Sequence, residues 1–153
     1  MTQGLEILEC LRCGARFHDP WMFTGCPRCA EEGHNVNLSA VVELPSAVHS
    51  SGHRLGGDAW VGSLWRYQEL LSVDPEHITT LGEGLTPLLK LERLGKHIGF
   101  ENLYLKDEGR NPTWSYKDRF CSVAISKAWE RGAEVVTIST SGNHGASTAA
   151  YAA

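Results

Sequence analysis

The sequence predicts an α/β fold: an incomplete parallel sheet with covering helices, preceded by a small cysteine-bearing segment. Three features predict it. Strand-like and helix-like stretches alternate from Asn102 onward, the order of a parallel sheet built from strand–helix units. Glycine and small polar residues punctuate the junctions, at Gly82 to Pro87, at Gly132 and at Ser141 to Gly145. Four cysteines in two close pairs set the first part of the chain apart. Residues 1–44 are therefore expected to form the cysteine-bearing segment, 45–79 a linker and packing helix, and 80–153 the first part of an α/β domain. A chain of 153 residues has room for one ordinary domain, or for a small module plus part of a larger one.

The first segment offers two short apolar stretches, Leu5 to Leu8 and Leu38 to Leu44. Pro45 to Asp58 is rich in serine, glycine and histidine without periodicity and reads as a linker or surface loop. Trp60, Leu64, Trp65, Tyr67 and Leu71 are spaced as in a short packing helix. Leu91 to Ile98 predicts a helix stopped by Gly99, and Asn102 to Lys106 a strand. Ser115 is placed to N-cap a helix running to about Arg131, with Asp118 completing an approximate capping box. Phe120, Cys121, Ala124, Ile125, Ala128 and Trp129 give that helix a broad apolar face, and Gly132 ends it. Glu134 to Ser139 is a β-branched strand, and the turn Ser141 to Gly145 leads into an alanine-rich helix, Ala146 to Ala153. Two strands cannot make a stable sheet with covered faces, so the chain reads as the first part of a longer protein.

A formal net charge of −4 argues against nucleic acid or an anionic membrane as partner. No apolar run is long enough to span a bilayer, and Met1 to Glu6 lacks the basic and apolar stretches of a signal peptide. Five cysteines, four of them in close pairs, fit a reducing compartment, the cytoplasm, and a metal site better than disulfides.

Cys10-Leu11-Arg12-Cys13 and Cys26-Pro27-Arg28-Cys29 are separated by twelve residues. Two such hooks supply the four thiolates that structural Zn²⁺ prefers. A closed set of four leaves no open position, so the zinc-ribbon-like segment is expected to be structural. Gly14 allows the tight turn after the first hook, and Ala30 stands at the matching place in the second. Arg12 and Arg28 are placed to offset the negative charge of the site. His18 and His34 are expected at the surface rather than as substitute ligands, and Cys121 in the core.

The run Asn111-Pro112-Thr113-Trp114-Ser115-Tyr116-Lys117-Asp118-Arg119 brings Lys117 to the start of a predicted helix, after a predicted strand. The positive end of the helix dipole there favours the neutral amine. A neutral, positioned lysine can attack a carbonyl and form a Schiff base. Thr140-Ser141-Gly142-Asn143-His144 opens the next helix, whose free N–H groups and dipole attract an anion. Glu108 reads as a solvated loop carboxylate. Taken singly, a lysine at a helix start is an ordinary surface charge, and such a turn is only a turn. In this order, at strand-to-helix junctions, the two reinforce each other.

The series Thr86-Pro87-Leu88-Leu89, Lys106-Asp107-Glu108, the Lys117 run and Ser139 to Gly145 resembles the pyridoxal-phosphate enzymes of the tryptophan-synthase-β type (fold type II). Within them it looks most like the threonine synthases, whose members often carry a cysteine-rich N-terminal segment. The similarity covers residues from about 60 to the end, and more loosely the cysteine hooks. It implies that Lys117 holds pyridoxal 5′-phosphate as a Schiff base and shuttles protons as the catalytic group. It implies that Asn143 contacts the cofactor's ring hydroxyl, and that Thr140, Ser141, Gly142, Asn143 and His144 bind the substrate carboxylate. The implied reaction converts O-phosphohomoserine, a small amino-acid substrate, and water to threonine and phosphate, as a lyase of cytoplasmic amino-acid biosynthesis. A homodimer is the implied assembly of the complete protein.

Three residues depart from the family's pattern. Trp114 stands where a glycine is usual, Tyr116 where phenylalanine is usual and Phe120 where a small glycine is usual. The bulk of Trp114 and Phe120 bears on the choice of substrate. The family's glycine-rich cradle for the cofactor phosphate lies farther along than Ala153, so the chain alone is expected to bind the cofactor poorly and to be inactive. A serine or threonine dehydratase, a cysteate-synthase-like enzyme, a truncated inactive relative and a non-catalytic zinc-ribbon binding module are the alternative readings.

Overall fold

The computed structural model describes residues 7–18, 22, 24–41 and 62–153. The expectations for Met1 to Glu6, Val42 to Leu44, Pro45 to Asp58 and Trp60 lie outside the described residues. The chain divides into two units, residues 1–54 and 55–153.

In the first unit, β1 (Ile7–Cys10) is the centre of a three-stranded antiparallel sheet, with β2 (Arg16–Phe17) on one side and β3 (Leu38–Val41) on the other. Gly14, at φ +69°, turns the chain back after the first hook, so that Cys10 N–H donates to Ala15 O at 2.9 Å. A short helix, α1 (Pro27–Glu31), carries the second hook and has proline in its first turn, where a missing N–H costs nothing. Ala30 lies inside this helix, which is why no glycine is needed there. The left-handed turn comes later, at Gly33 (φ +79°). Among the described residues, Cys10, Ala15, Cys26 and Cys29 form one buried cluster with Phe17, Val36 and Leu38 packed against it, and Ile7 is buried as well. The apolar cluster among the described residues is small, and its cysteines are free thiols that can serve as a staple.

In the second unit, the short packing helix expected around Leu64 to Leu71 is a 3₁₀ helix, Leu64–Leu70, that bends at Tyr67. Ser63 starts it by accepting the Trp65 N–H on Oγ at 3.1 Å. Trp65 is fully buried, and its indole N–H donates to Ser122 Oγ at 2.8 Å. Ser122 donates in turn to Thr79 O (2.7 Å), while Thr79 N–H donates to Ser126 Oγ (2.8 Å). Residues 63–79 are thus built into the α/β part by paired polar groups as well as by the apolar cluster of Leu64, Trp65 and Val73.

β4 (Leu88–Lys90) and β5 (Tyr104–Lys106) form an antiparallel pair with Leu89 opposite Leu105, connected through α2 (Glu92–Ile98). Gly99, at φ +79°, ends α2 as expected. α3 (Lys117–Glu130) ends in a Schellman turn, with Gly132 N–H on Trp129 O (2.8 Å) and Ala133 N–H on Ala128 O (3.0 Å). α4 (Asn143–Ala152) begins inside the predicted turn, at Asn143. It packs on α3 through Cys121, Ile125 and Tyr151.

Two expectations give way. Glu134 to Ser139 is not a strand, and Val135 is 79% exposed. A strand exists through its ladder, and this β-branched run has no described strand beside it. Both sheets are antiparallel, so the expected parallel sheet is not formed among the described residues. The inner face of α3 is also more polar than its spacing suggests. Phe120 and Trp129 are exposed, while Asp118, Ser122 and Ser126 are buried beside Cys121 and Ile125. The two serines are accommodated because Trp65 and Thr79 pair with them. No helix among the described residues is long and apolar enough to cross a membrane.

Ser122→Ala removes the acceptor of a fully buried indole N–H and the donor to Thr79 O. The expected loss is about 1–3 kcal/mol, read as a lower urea midpoint at unchanged slope. An unchanged midpoint would show that this network does not hold the 3₁₀ segment in place.

Candidate active site

Lys117 is the first residue of α3. The N-cap position falls on Tyr116, one residue after the expected Ser115, whose Oγ accepts the Lys117 N–H at 3.2 Å and whose carbonyl accepts the Asp118 N–H at 3.2 Å. Asp118 does not close the capping box. Its fully buried carboxylate accepts instead from Thr113 N–H (2.7 Å), from the Thr113 hydroxyl and from Ser147 Oγ (2.5 Å). The Lys117 Nζ lies 4.5 Å from the centroid of the Tyr116 ring, a cation–π contact.

Trp114 sits at φ +59° with its N–H on Asn111 O (2.8 Å), and its side chain is 84% exposed. This left-handed conformation costs a residue with a Cβ about 1–2 kcal/mol. It also explains in backbone terms why glycine suits this position.

Lys117 and the whole of Ser139–His144 line one cleft of about 800 Å³. The structure therefore brings together the predicted lysine and all five predicted turn residues, and adds Ser139. The first N–H groups of a helix have no acceptor within it. At α4, Thr140 Oγ1 accepts two N–H groups, those of Gly142 and Gly145, at 3.2 Å each. Thr140 is thus an internal cap of the turn, and the N–H groups of Asn143 and His144 remain for an anion at the positive end of the helix. A Cβ at Gly145 would run into the Thr140 methyl group, so a larger residue there would push the Thr140 side chain out of its capping position. The exposed ring of Phe120 meets His144 edge-on, with centroids 5.2 Å apart, and buttresses the turn from α3.

Glu108 is not the solvated carboxylate expected. Arg119 donates to both of its oxygens (2.7 and 3.0 Å), Thr86 Oγ1 donates at 2.7 Å and Asn111 Nδ2 at 2.9 Å. The Arg119 bonds foremost hold its carboxyl down at about 2. Asn111, itself buried, accepts the Gly84 N–H on Oδ1 at 3.0 Å. These bonds tie the turn before β4 and the loop after β5 to the helix that bears Lys117. A second buried carboxylate, Glu83, accepts Tyr151 O–H (2.8 Å) and Leu81 N–H (3.0 Å). The sequence signal for the first network was Arg119 inside the Lys117 run together with Glu108 and Asn111 three apart. A charge on a loop gives no sign of its burial.

In the first unit, the sulfurs of Cys10, Cys13, Cys26 and Cys29 all lie within 4.8 Å of one another. Cys10 Sγ is 3.6 Å from Cys29 Sγ, and Cys13 Sγ is 3.7 Å from Cys26 Sγ. Four thiolates about 2.3 Å from a tetrahedral Zn²⁺ stand about 3.8 Å apart, so the cluster has the dimensions of a ZnS₄ site. The Cys13 N–H aimed at Cys10 Sγ holds that thiol down at about 6, whereas burial pushes Cys29 up to about 12 and raises Cys26. Arg12 reaches Cys29 Sγ at 3.7 Å and Glu32 at 2.6 Å, in line with its expected charge-offsetting place. Arg28, the other arginine expected there, is exposed and makes no sulfur contact among the described residues. His18 and His34 are exposed and outside the cluster.

Two outcomes follow from this geometry. The depressed carboxyl of Glu108 contributes stability that is present above the ordinary carboxylate range and is lost as pH falls toward about 2. Glu108→Gln is expected to lower stability by about 2 kcal/mol at neutral pH and to flatten the fall in urea midpoint between neutral and acid pH. Trp114→Gly is expected to raise the melting temperature, by about 1 kcal/mol of relieved backbone strain, because its side chain packs on little. A lower melting temperature would mean that the indole packs in solution.

Residues 79–153 match the model of the family described as pyridoxal-phosphate dependent enzyme. Among curated proteins, the chain is 36% identical over 146 residues to a threonine synthase of Methanosarcina acetivorans, covering 95% of this chain and 34% of that protein. It is 48% identical over 91 residues to a threonine synthase of Methanocaldococcus jannaschii, covering 59% of this chain and 22% of the relative. A threonine synthase of Halalkalibacterium halodurans is 46% identical over 95 residues, covering 61% and 27%. The chain thus spans about a third or less of the length of these relatives. No solved structure gives a significant match. A lysine at one helix start facing an asparagine turn at the next, within the matched residues, is the arrangement the motifs implied, and residues 79–153 are similar to the pyridoxal-phosphate dependent enzymes, the chain as a whole matching part of a threonine synthase.

Proposed function

We propose that the chain carries the lysine and anion-binding parts of a pyridoxal-phosphate site in a threonine-synthase-like lyase, with a structural Zn²⁺ on Cys10, Cys13, Cys26 and Cys29. The observation that carries this reading is the single cleft lined by Lys117 and Ser139–His144. The donor set fits the cofactor and an amino-acid substrate: an amine for the cofactor's aldehyde, an amide for its ring hydroxyl and helix N–H groups for the substrate carboxylate. When bound, the cofactor supplies an electron sink for charge that develops on the substrate.

The protein's own part is binding, orientation and proton transfer. Lys117 presents the amine that holds the cofactor aldehyde. Once released, the same amine moves protons at the α and β carbons of the amino-acid substrate. Asn143 orients the cofactor ring through its side-chain amide. Ser141 and the first N–H groups of α4 take the substrate carboxylate, with Thr140 holding the turn in shape. The substrate favoured by the likeness to threonine synthases is O-phosphohomoserine, converted with water to threonine and phosphate.

The zinc reading rests on sulfur spacing and on the place of three of the four cysteines in one buried cluster. Elemental analysis of the purified chain is expected to give one Zn²⁺ per chain, lost in Cys29→Ser together with the fold of the first unit. A metal-free, folded wild-type chain would contradict it. For the enzyme, the complete protein is expected to consume O-phosphohomoserine in preference to serine or threonine, and Lys117→Ala to abolish turnover. Preferential loss of serine or threonine would reassign the substrate to a dehydratase.

A further inference from the structure

Asp118 is the residue next to Lys117, is fully buried, and takes no part in the roles described above. Its carboxylate accepts three hydrogen bonds: Thr113 N–H (2.7 Å), Thr113 O–H and Ser147 O–H (2.5 Å). Among the described residues no lysine or arginine pairs with it, since Arg119 is bonded to Glu108. What keeps a buried carboxylate at this place is the set of three donors, together with the positive end of α3.

The two arms lead to the two halves of the cleft. Thr113 belongs to the loop that delivers Lys117. Ser147, also fully buried, lies four residues after Asn143 and so on the same face of α4, one turn from the asparagine. Lower along the helix pair the contacts are apolar or weak, at Cys121 with Thr148 (3.5 Å) and at Ile125 with Tyr151. Phe120 against His144 is an exposed ring contact. Among the described residues, the Asp118–Ser147 bond is the one charge-assisted tie between the two helices at their site end.

We infer that Asp118 is a positioning residue: through Thr113 and Ser147 it sets the Lys117 amine against the Asn143 turn, without itself touching a ligand. This rests on the proposed cofactor site. Substitution separates the two arms. Asp118→Asn keeps the shape but offers one acceptor oxygen for three donors and turns an amide donor toward another donor. Ser147→Ala removes only the α4 arm and leaves the Thr113 bonds in place.

The test uses the 153-residue chain with two readouts. In the first, millimolar pyridoxal phosphate is trapped on lysines by borohydride and located by peptide mapping, with Lys90, Lys96, Lys106 and Lys127 as internal controls. In the second, hydrogen exchange is followed at residues 143–146 and at the β4–β5 pair. Ser147→Ala is expected to lower the labelling of Lys117 relative to the other lysines by roughly ten-fold and to speed exchange at 143–146 alone. Ser147→Thr, which keeps the hydroxyl, is expected to restore both. Unchanged Lys117 preference with unchanged exchange at 143–146 would overturn the inference, as would equal loosening of both regions. If the wild-type chain shows no preference for Lys117, these residues do not hold the cofactor by themselves, in line with the poor binding expected of the chain alone. Exchange then decides the positioning role: selective loosening at 143–146 supports it and its absence overturns it.

Discussion

The second unit depends on carboxylates that are buried and fully bonded. Asp118 and Glu83 are closed off from solvent, and Glu108 is held in a fork of arginine, threonine and asparagine. Burying a carboxylate costs several kcal/mol unless its lone pairs are used, so each one fixes the positions of the donors around it. Those donors lie far apart in sequence: Tyr151 on Glu83, Ser147 on Asp118, Arg119 on Glu108. An apolar core tolerates small slides between helices. A carboxylate with three donors does not, because each displaced donor becomes an unpaired buried group.

This explains how a unit with modest apolar clusters can hold a cleft. Lys117 and Asn143 are on different helices, and each helix begins at the cleft. The polar bonds around Ser115, Asp118 and Thr140 are concentrated at those two beginnings, where backbone N–H groups also need partners. Farther along, the two helices meet each other through Cys121, Ile125 and Tyr151, with no charged group between them among the described residues. Precision is spent at the site end. Trp114 belongs to the same pattern: it is kept in a left-handed conformation between the bonded neighbours Asn111 and Thr113.

Much of the site was legible in the sequence because its parts are local. Four cysteines in two hooks, a lysine behind a serine, and a Ser-Gly-Asn-His turn each occupy a few consecutive residues, and local spacing survives folding. Gly99 and Gly132 ended their helices where expected for the same reason. What was not legible depends on distant partners. The fate of Glu108 is set by Arg119 and Thr86, the inward serines of α3 by Trp65 and Thr79, and the run Glu134 to Ser139 by a neighbouring strand it does not find among the described residues. The β4–β5 pairing was missed because Leu88 to Lys90 is too short to show a period.

The central claim is that the Lys117 amine and the Asn143 turn act on one bound group. A crystal structure of the complete protein grown with pyridoxal phosphate tests this most directly. Electron density is expected to be continuous with Lys117 Nζ, with the ring hydroxyl beside the Asn143 amide. Density attached to another lysine, or a cofactor bound away from Ser139–His144, would contradict it.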